Sequence, residues 1–276
     1  CVLIIMFKST RWMAGLVGMI CLCAFVLISG SSRHTSHTIA IRDFVDESHV
    51  EVAHIHGVEV LLRTPPSRIQ PKGILLVLHG CSHGALDWGS PSECIGCVGL
   101  PEERLISNVA VGHAMVVVAP SSIDRVSKCW DVYTDGPRLK SMLGRLRERE
   151  TLQNLPVFAF GASSGGAMAY FMPSYFPEMK AIAVQVAALP KPFLLQLISP
   201  EFPPTLLLHM SRDLRTHTLV NENIHELTKL GVKAKAIVQP PTSLTAKYLS
   251  SKLEYLTEAG AAKVVARLLK VKRNEY

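Results

Sequence analysis

The chain has 276 residues, 48% of them hydrophobic and 18% charged, with a formal net charge of +7 at pH 7. Its length supplies a full core for one large domain, so its seven cysteines do not make it a disulfide scaffold. The excess charge sits in Arg138, Lys140, Arg145, Arg147 and Arg149, and in Lys270, Lys272 and Arg273. No aromatic residues interleave with either group, which describes a solvated helix face and a tail and argues against nucleic-acid binding.

In chain order, Met6 reads as an initiator, followed by a short basic leader with Lys8 and Arg11. Residues 12–28 are then only apolar residues and glycine, as in a spanning helix or the core of a signal peptide. The expected organisation is a signal anchor or signal peptide over 1–32, a linker over 33–47 and one domain over 48–276. The domain is expected at a membrane of the secretory pathway, held by the N-terminal hydrophobic helix, or secreted if the leader is cleaved.

Two β-like runs, 50–55 and 58–62, flank His56-Gly57 and predict a hairpin. Residues 74–78 form a continuous apolar run suited to a strand buried on both faces, and it ends in His79-Gly80-Cys81-Ser82-His83-Gly84. Pro101-Glu102-Glu103 is a good helix start. Further strands are predicted over 115–119, 157–160, 181–187, 205–209 and 232–238. Helices are predicted over 138–154, 219–230 and 253–269. Apolar strands alternating with helices imply an α/β domain whose mostly parallel sheet is covered by helices on both faces. The hairpin forms an antiparallel edge. The connection between the strands at 181 and 205 leaves no room for a large cap domain.

Residues 161–165, Gly-Ala-Ser-Ser-Gly, follow an apolar run and precede a small-residue helical segment. Strand, tight turn and helix form the setting of a nucleophile elbow, in which bulk is excluded two residues either side of a strained serine. Ser163 fits that position with glycine on both sides. A shifted register would instead use Ser164.

Cys1, Cys21 and Cys23 lie in the leader, whereas Cys81, Cys94, Cys97 and Cys129 belong to the domain and permit two bridges of undetermined pairing. Cys94-x-x-Cys97 has no second pair, so structural thiols or disulfides are favoured over zinc. No metal or organic cofactor is implied.

His79-Gly80-Cys81 after one strand and Ser163 after another resemble the α/β-hydrolase superfamily. The resemblance implies an oxyanion hole made from the backbone amides of Ser164 and Cys81. The segments LHGCSHGALDW, ECIGCVGLPEERLI, CWD at Trp130, GASSGG and PPTLLLHMSRD further resemble a plant family of uncharacterised, membrane-anchored α/β-hydrolase-fold proteins. That likeness spans most of residues 74–245, with Cys97-Val98-Gly99 as a local departure. It implies the fold and no particular reaction.

Asp213, after the strand at 205–209, stands where the orienting acid is expected; its other reading is a helix N-cap. The general base is the gap, because no histidine follows Val238 in this sequence. His217 is the substitute, with His79, Gly80 and His83 lining the pocket. The leading expectation is a serine hydrolase acting on a small ester or acyl substrate through an acyl-enzyme at Ser163. The rival is a catalytically impaired binding protein of the same fold. A third reading is an interaction protein in which the anchor and basic face carry the function.

Overall fold

A computed structural model describes residues 47–253 and 256–273. The predicted leader and most of the linker lie outside the described residues. Among the described residues no helix is long and apolar enough to cross a membrane.

β1 (His49–Ile55) and β2 (Val58–Thr64) pair antiparallel across His56-Gly57, whose φ angles of 49° and 75° give the left-handed pair of a two-residue hairpin turn. Then follow β3 (Gly73–Leu78), α1 (Pro101–Gly112), β4 (Met115–Pro120), α2 (Val132–Leu146), β5 (Val157–Ala162), α3 (Ser164–Tyr175), β6 (Ala181–Gln185) and α4 (Lys191–Leu197). β7 (Thr205–Met210), α5 (Leu214–Lys229), β8 (Ala234–Gln239), α6 (Ala246–Lys252) and α7 (Glu258–Arg273) complete the order. The eight strands form one sheet in the order β1-β2-β4-β3-β5-β6-β7-β8, parallel from β4 to β8. The chain winds outward from β3 in both directions, so the carboxyl ends of β3 and β5 stand side by side at the centre of the sheet.

Alternation along the strands divides the core between the two faces. Leu76, Leu78, Val118, Ala159 and Val184 pack with Leu139, Met142 and Leu143 of α2, Met168 and Met172 of α3, and Val220 and Leu227 of α5. Leu75, Val77, Val117, Phe158 and Phe160 pack on the other face with Val109 and Ala110 of α1 and with Trp88. Central strands buried on both faces leave no polar face to mark them, which is why they read as plain apolar runs.

Several helices differ from the sequence reading, each for a local reason. The helix expected over 138–154 starts at Val132, because the Asp131 carboxylate accepts from Tyr133 N and Thr134 N and caps it there. It stops at Leu146. The helix expected from 219 begins at Leu214 with Asp213 as its cap. The helix expected over 253–269 runs instead from Glu258 to Arg273, and a separate short helix that the sequence reading did not place, α6, precedes it, capped by Thr245. α4 was hidden by prolines that read as breakers; Pro190 is its N-cap and Pro192 lies in its first turn, where a missing N–H costs nothing.

A buried polar knot fixes α5 against α3. The Tyr170 hydroxyl donates to Asn223 Oδ1 at 2.7 Å, and Asn223 also exchanges hydrogen bonds with Leu189 N and O at 3.0 and 2.7 Å. All of these groups are out of water, so each depends on the others for its partner.

Candidate active site

The bend between β5 and α3 has the geometry of an elbow. Ser163 has φ 54° and ψ −118°, a left-handed-side conformation that costs a non-glycine residue a kcal/mol or more, of order 1–3 kcal/mol. Its amide donates to Gln185 O at 2.9 Å, which ties the bend to β6. Among the described residues no partner engages its hydroxyl. A Cβ at Gly161 would stand 2.0 Å from Gly165 O, and one at Gly165 would stand 2.1 Å from Leu78 O. Glycine is therefore required at both positions by close backbone approach. Ser164 is the first residue of α3, with its own hydroxyl buried and without a partner, so it is Ser163 and not Ser164 that occupies the strained apex.

The loop after β3 lies against this bend. A Cβ built on Gly80 would sit 3.6 Å from Ser163 Cβ and 3.6 Å from Ala162 O. Among the described residues the next amide, Cys81 N, makes no hydrogen bond to the backbone. The amide of Ser164, at the helix N-terminus, likewise has no intrahelical acceptor. Gly80, the residue before Cys81, thus lies against Ser163, and Ser164 directly follows that serine.

The loop is held from three sides. Cys81 is joined to Cys129 by a disulfide, Trp130 Nε1 donates to His79 O at 2.8 Å, and the Trp130 ring lies 4.7 Å from that of His79. The second disulfide is Cys94–Cys97, which closes the CxxC as a bridge; no group of three or more metal-ligating side chains occurs among the described residues. Neither pairing could be read from spacing.

His79 is built into the loop's frame rather than into a pocket. It is 2% exposed, donates from Nδ1 to Gly80 O at 2.7 Å, and accepts from Ser122 N at Nε2 at 3.2 Å. Both ring nitrogens are thus committed with the imidazole neutral, and burial pushes its pKa down to about 4. A pKa depressed below the unfolded value of 6.5 leaves the unfolded state binding the extra proton between those limits, so stability falls as pH is lowered from 6.5 towards 4. The expected loss over that window is roughly 3 kcal/mol. It is measured as the slope of urea-unfolding free energy against pH, which His79→Gln should flatten.

Asp213 and His217, at the start of α5, are not paired through their side chains. The Asp213 carboxylate accepts from Thr216 N at 3.1 Å and Thr216 Oγ1 at 2.6 Å, the N-cap arrangement, and these bonds hold its pKa below the usual carboxylate range. His217 Nε2 lies 3.1 Å from Asn221 Nδ2, its buried Nδ1 has no partner, and its ring lies 5.0 Å from His209. The His217 amide donates to Asp213 O at 2.9 Å, but among the described residues no hydrogen bond or ion pair joins the Asp213 carboxylate to the ring of either histidine.

Sequence reasoning missed one acid. Asp87 accepts from His83 Nδ1 at 3.2 Å and from Gly84 N at 2.9 Å. The four-residue spacing of His83 and Asp87 was the signal available, but it is a pattern that surface pairs share.

No protein-family model matches the sequence, and no curated protein aligns with it significantly. Among solved structures the chain is similar to a dienelactone hydrolase from Anabaena variabilis, with a TM-score of 0.55 at 20% identity over 83% of this chain and 99% of that one. Brefeldin A esterase, a bacterial homologue of human hormone-sensitive lipase, gives 0.49 at 14% identity over 96% and 85% of the two chains. A fungal esterase from Rhizomucor miehei gives 0.47 at 13%, over 97% of each. The dienelactone hydrolase match carries the likeness, and at that identity it is one of fold, the α/β-hydrolase fold.

Proposed function

We propose that this protein is a serine hydrolase that cleaves small carboxylic esters or acyl compounds through an acyl-enzyme on Ser163. The observation that carries the reading is the strained Ser163, its hydroxyl unengaged, facing Gly80 across the junction of β3 and β5. Ser163 is one of six described non-glycine residues with positive φ, and strain of this kind persists only where the surrounding packing over-determines it. The neighbours in fold that are hydrolases support the same reading.

The Ser163 oxygen would attack the substrate carbonyl carbon as its proton passes to a base, and the carbonyl oxygen would gain a negative charge. The amides of Ser164 and Cys81 are the donors for that charge, each worth about 3 kcal/mol in such sites. Collapse of the tetrahedral species expels the alcohol with the proton from the base and leaves the acyl group on Ser163. Water then reverses the sequence. The run at 12–28 and the two disulfides support attachment to, or passage through, a membrane of the secretory pathway.

A non-catalytic binding pocket is the second reading, favoured by the engagement of the Asp213 carboxylate as a cap. A fluorophosphonate probe separates the two, because it reacts only with an activated serine. Wild-type protein is expected to label at Ser163, and Ser163→Ala to lose both labelling and p-nitrophenyl acetate hydrolysis by about 10⁴-fold or more. Labelling of wild type no faster than of Ser163→Ala selects the binding protein.

A further inference from the structure

We propose that the base of this site is His83, positioned by Asp87, so that the proton-transfer pair comes from the loop after β3 rather than from the strand ends at β7 and β8. This rests on the reading of Ser163 as nucleophile.

The geometry converges on Gly80. A Cβ built there would stand 3.6 Å from Ser163 Cβ and 3.7 Å from His83 Cδ2, so the serine and the imidazole flank the same glycine. Cδ2 is bonded to Nε2, the nitrogen left over when Nδ1 pairs with Asp87 Oδ2 at 3.2 Å. An acid on Nδ1 fixes the tautomer in which Nε2 is the acceptor, which is the atom that must receive a serine proton. Asp87 is itself fixed by the Gly84 amide at 2.9 Å and stands in the 3-10 turn Ala85–Trp88, whose Trp88 is buried in the core. The chain makes room for the turn at Ser82, which has φ 68° and donates its amide to Ser127 O at 2.9 Å. The side chains of His83 and Asp87 are 27% and 13% exposed, so the pair is open to a substrate yet shielded enough to be oriented.

Among the described residues neither rival histidine has a carboxylate hydrogen-bonded to its ring, although His209 is near enough to Asp213 to act on its charge. His217 meets Asn221 and His209, and His209 is 2% exposed with Nδ1 on Met210 O at 3.3 Å. In the proposed step the Ser163 Oγ–H bond breaks as Oγ bonds to the carbonyl carbon, the proton goes to His83 Nε2, and the resulting imidazolium returns it to the departing alkoxide. Asp87 holds the ring and balances its charge without taking the proton.

Three charged groups and burial act on the His83 proton. Asp87 and Glu103 of α1 favour it, whereas burial and Lys128 on the facing loop oppose it. Asp87 leads, and the imidazole pKa is raised above 6.5. A base must be neutral to act, so kcat/KM rises with pH through this pKa, and removing the Asp87 charge should move that acid limb to lower pH.

The test uses the full chain with its disulfides formed, and follows both fluorophosphonate labelling and p-nitrophenyl acetate hydrolysis. His83→Ala is expected to lower both rates by about 10³-fold or more and to be partly rescued by added imidazole. Asp87→Asn is expected to shift the acid limb downward by about one pH unit. Should His83→Ala not fold, His83→Gln serves in its place, with the same loss expected. The proposal is overturned if the His83 variants stay within tenfold of wild type, or if the acid limb of Asp87→Asn does not move. It also falls if the loss appears instead in His217→Ala or His209→Ala, an outcome that leaves Ser163 as nucleophile intact. Wild-type protein that does not label sinks both.

Discussion

Gly165→Ala is expected to yield no stably folded protein, among the largest single-residue effects that this fold predicts. The added Cβ would lie 2.1 Å from Leu78 O and 2.5 Å from His79 O. Both are backbone atoms at the end of β3, a strand hydrogen-bonded to β4 on one side and β5 on the other. No rotamer change relieves such a contact. Either β3 or the start of α3 must move, and moving either opens a core in which Leu78 and Met168 are wholly buried. Destabilisation above about 4 kcal/mol falls in the range reserved for core disruption, a large share of a typical domain's net stability. Loss of the cooperative urea transition and of soluble expression would show it. An alanine variant that melted within a few degrees of wild type would mean that the elbow is looser than its contacts state.

Substitutions at Gly80 should do the opposite, sparing the fold and removing the activity. Here an added Cβ meets its nearest neighbours at 3.6 to 3.7 Å, ordinary contact, and the backbone is not in the left-handed region. The atoms it would touch, however, are Ser163 Cβ, Ala162 O and His83 Cδ2, the rim of the site itself. Gly80→Ala is expected to cost about tenfold in kcat/KM, and Gly80→Val about 10³-fold as its γ carbons fill the approach to the serine. Thermal melting should stay close to wild type in both. The pair of glycines thus separates two demands that the same small residue meets: Gly165 admits a backbone, and Gly80, on the proposed function, admits a substrate.

How much of this was legible in the sequence depends on how local each feature is. The strands could be read because β3, β4 and β5 are apolar throughout, a consequence of helices on both faces. Gly161, Ser163 and Gly165 could be read because an elbow confines its sterics to five consecutive residues. Helix starts were placed less well: Asp131 and Asp213 cap helices, but an aspartate in a loop has several uses, and only coordinates show which amides it meets. The two readings of Asp213, orienting acid and cap, are indistinguishable by position along the chain. His83 and Asp87 lay within a single motif, yet nothing in their spacing shows that the imidazole and Ser163 both lie beside Gly80. The disulfide pairing was illegible for the same reason, because Cys81 and Cys129 are 48 residues apart and meet only once β3 and β4 are neighbours.

That bridge has a practical corollary for anyone making the protein. Closing a span of 48 residues removes unfolded-state freedom worth about 4 kcal/mol in the chain-entropy treatment, but the bond's location matters more than its thermodynamic value. It fastens the very arm that carries the Cys81 amide, whereas the sheet beneath is assembled from hydrophobic contacts indifferent to redox conditions. Material produced in a reducing bacterial cytosol, or stored in dithiothreitol, would retain its secondary structure while that arm came loose. An inactive preparation of that kind would report on the host and the buffer, not on the chemistry of Ser163.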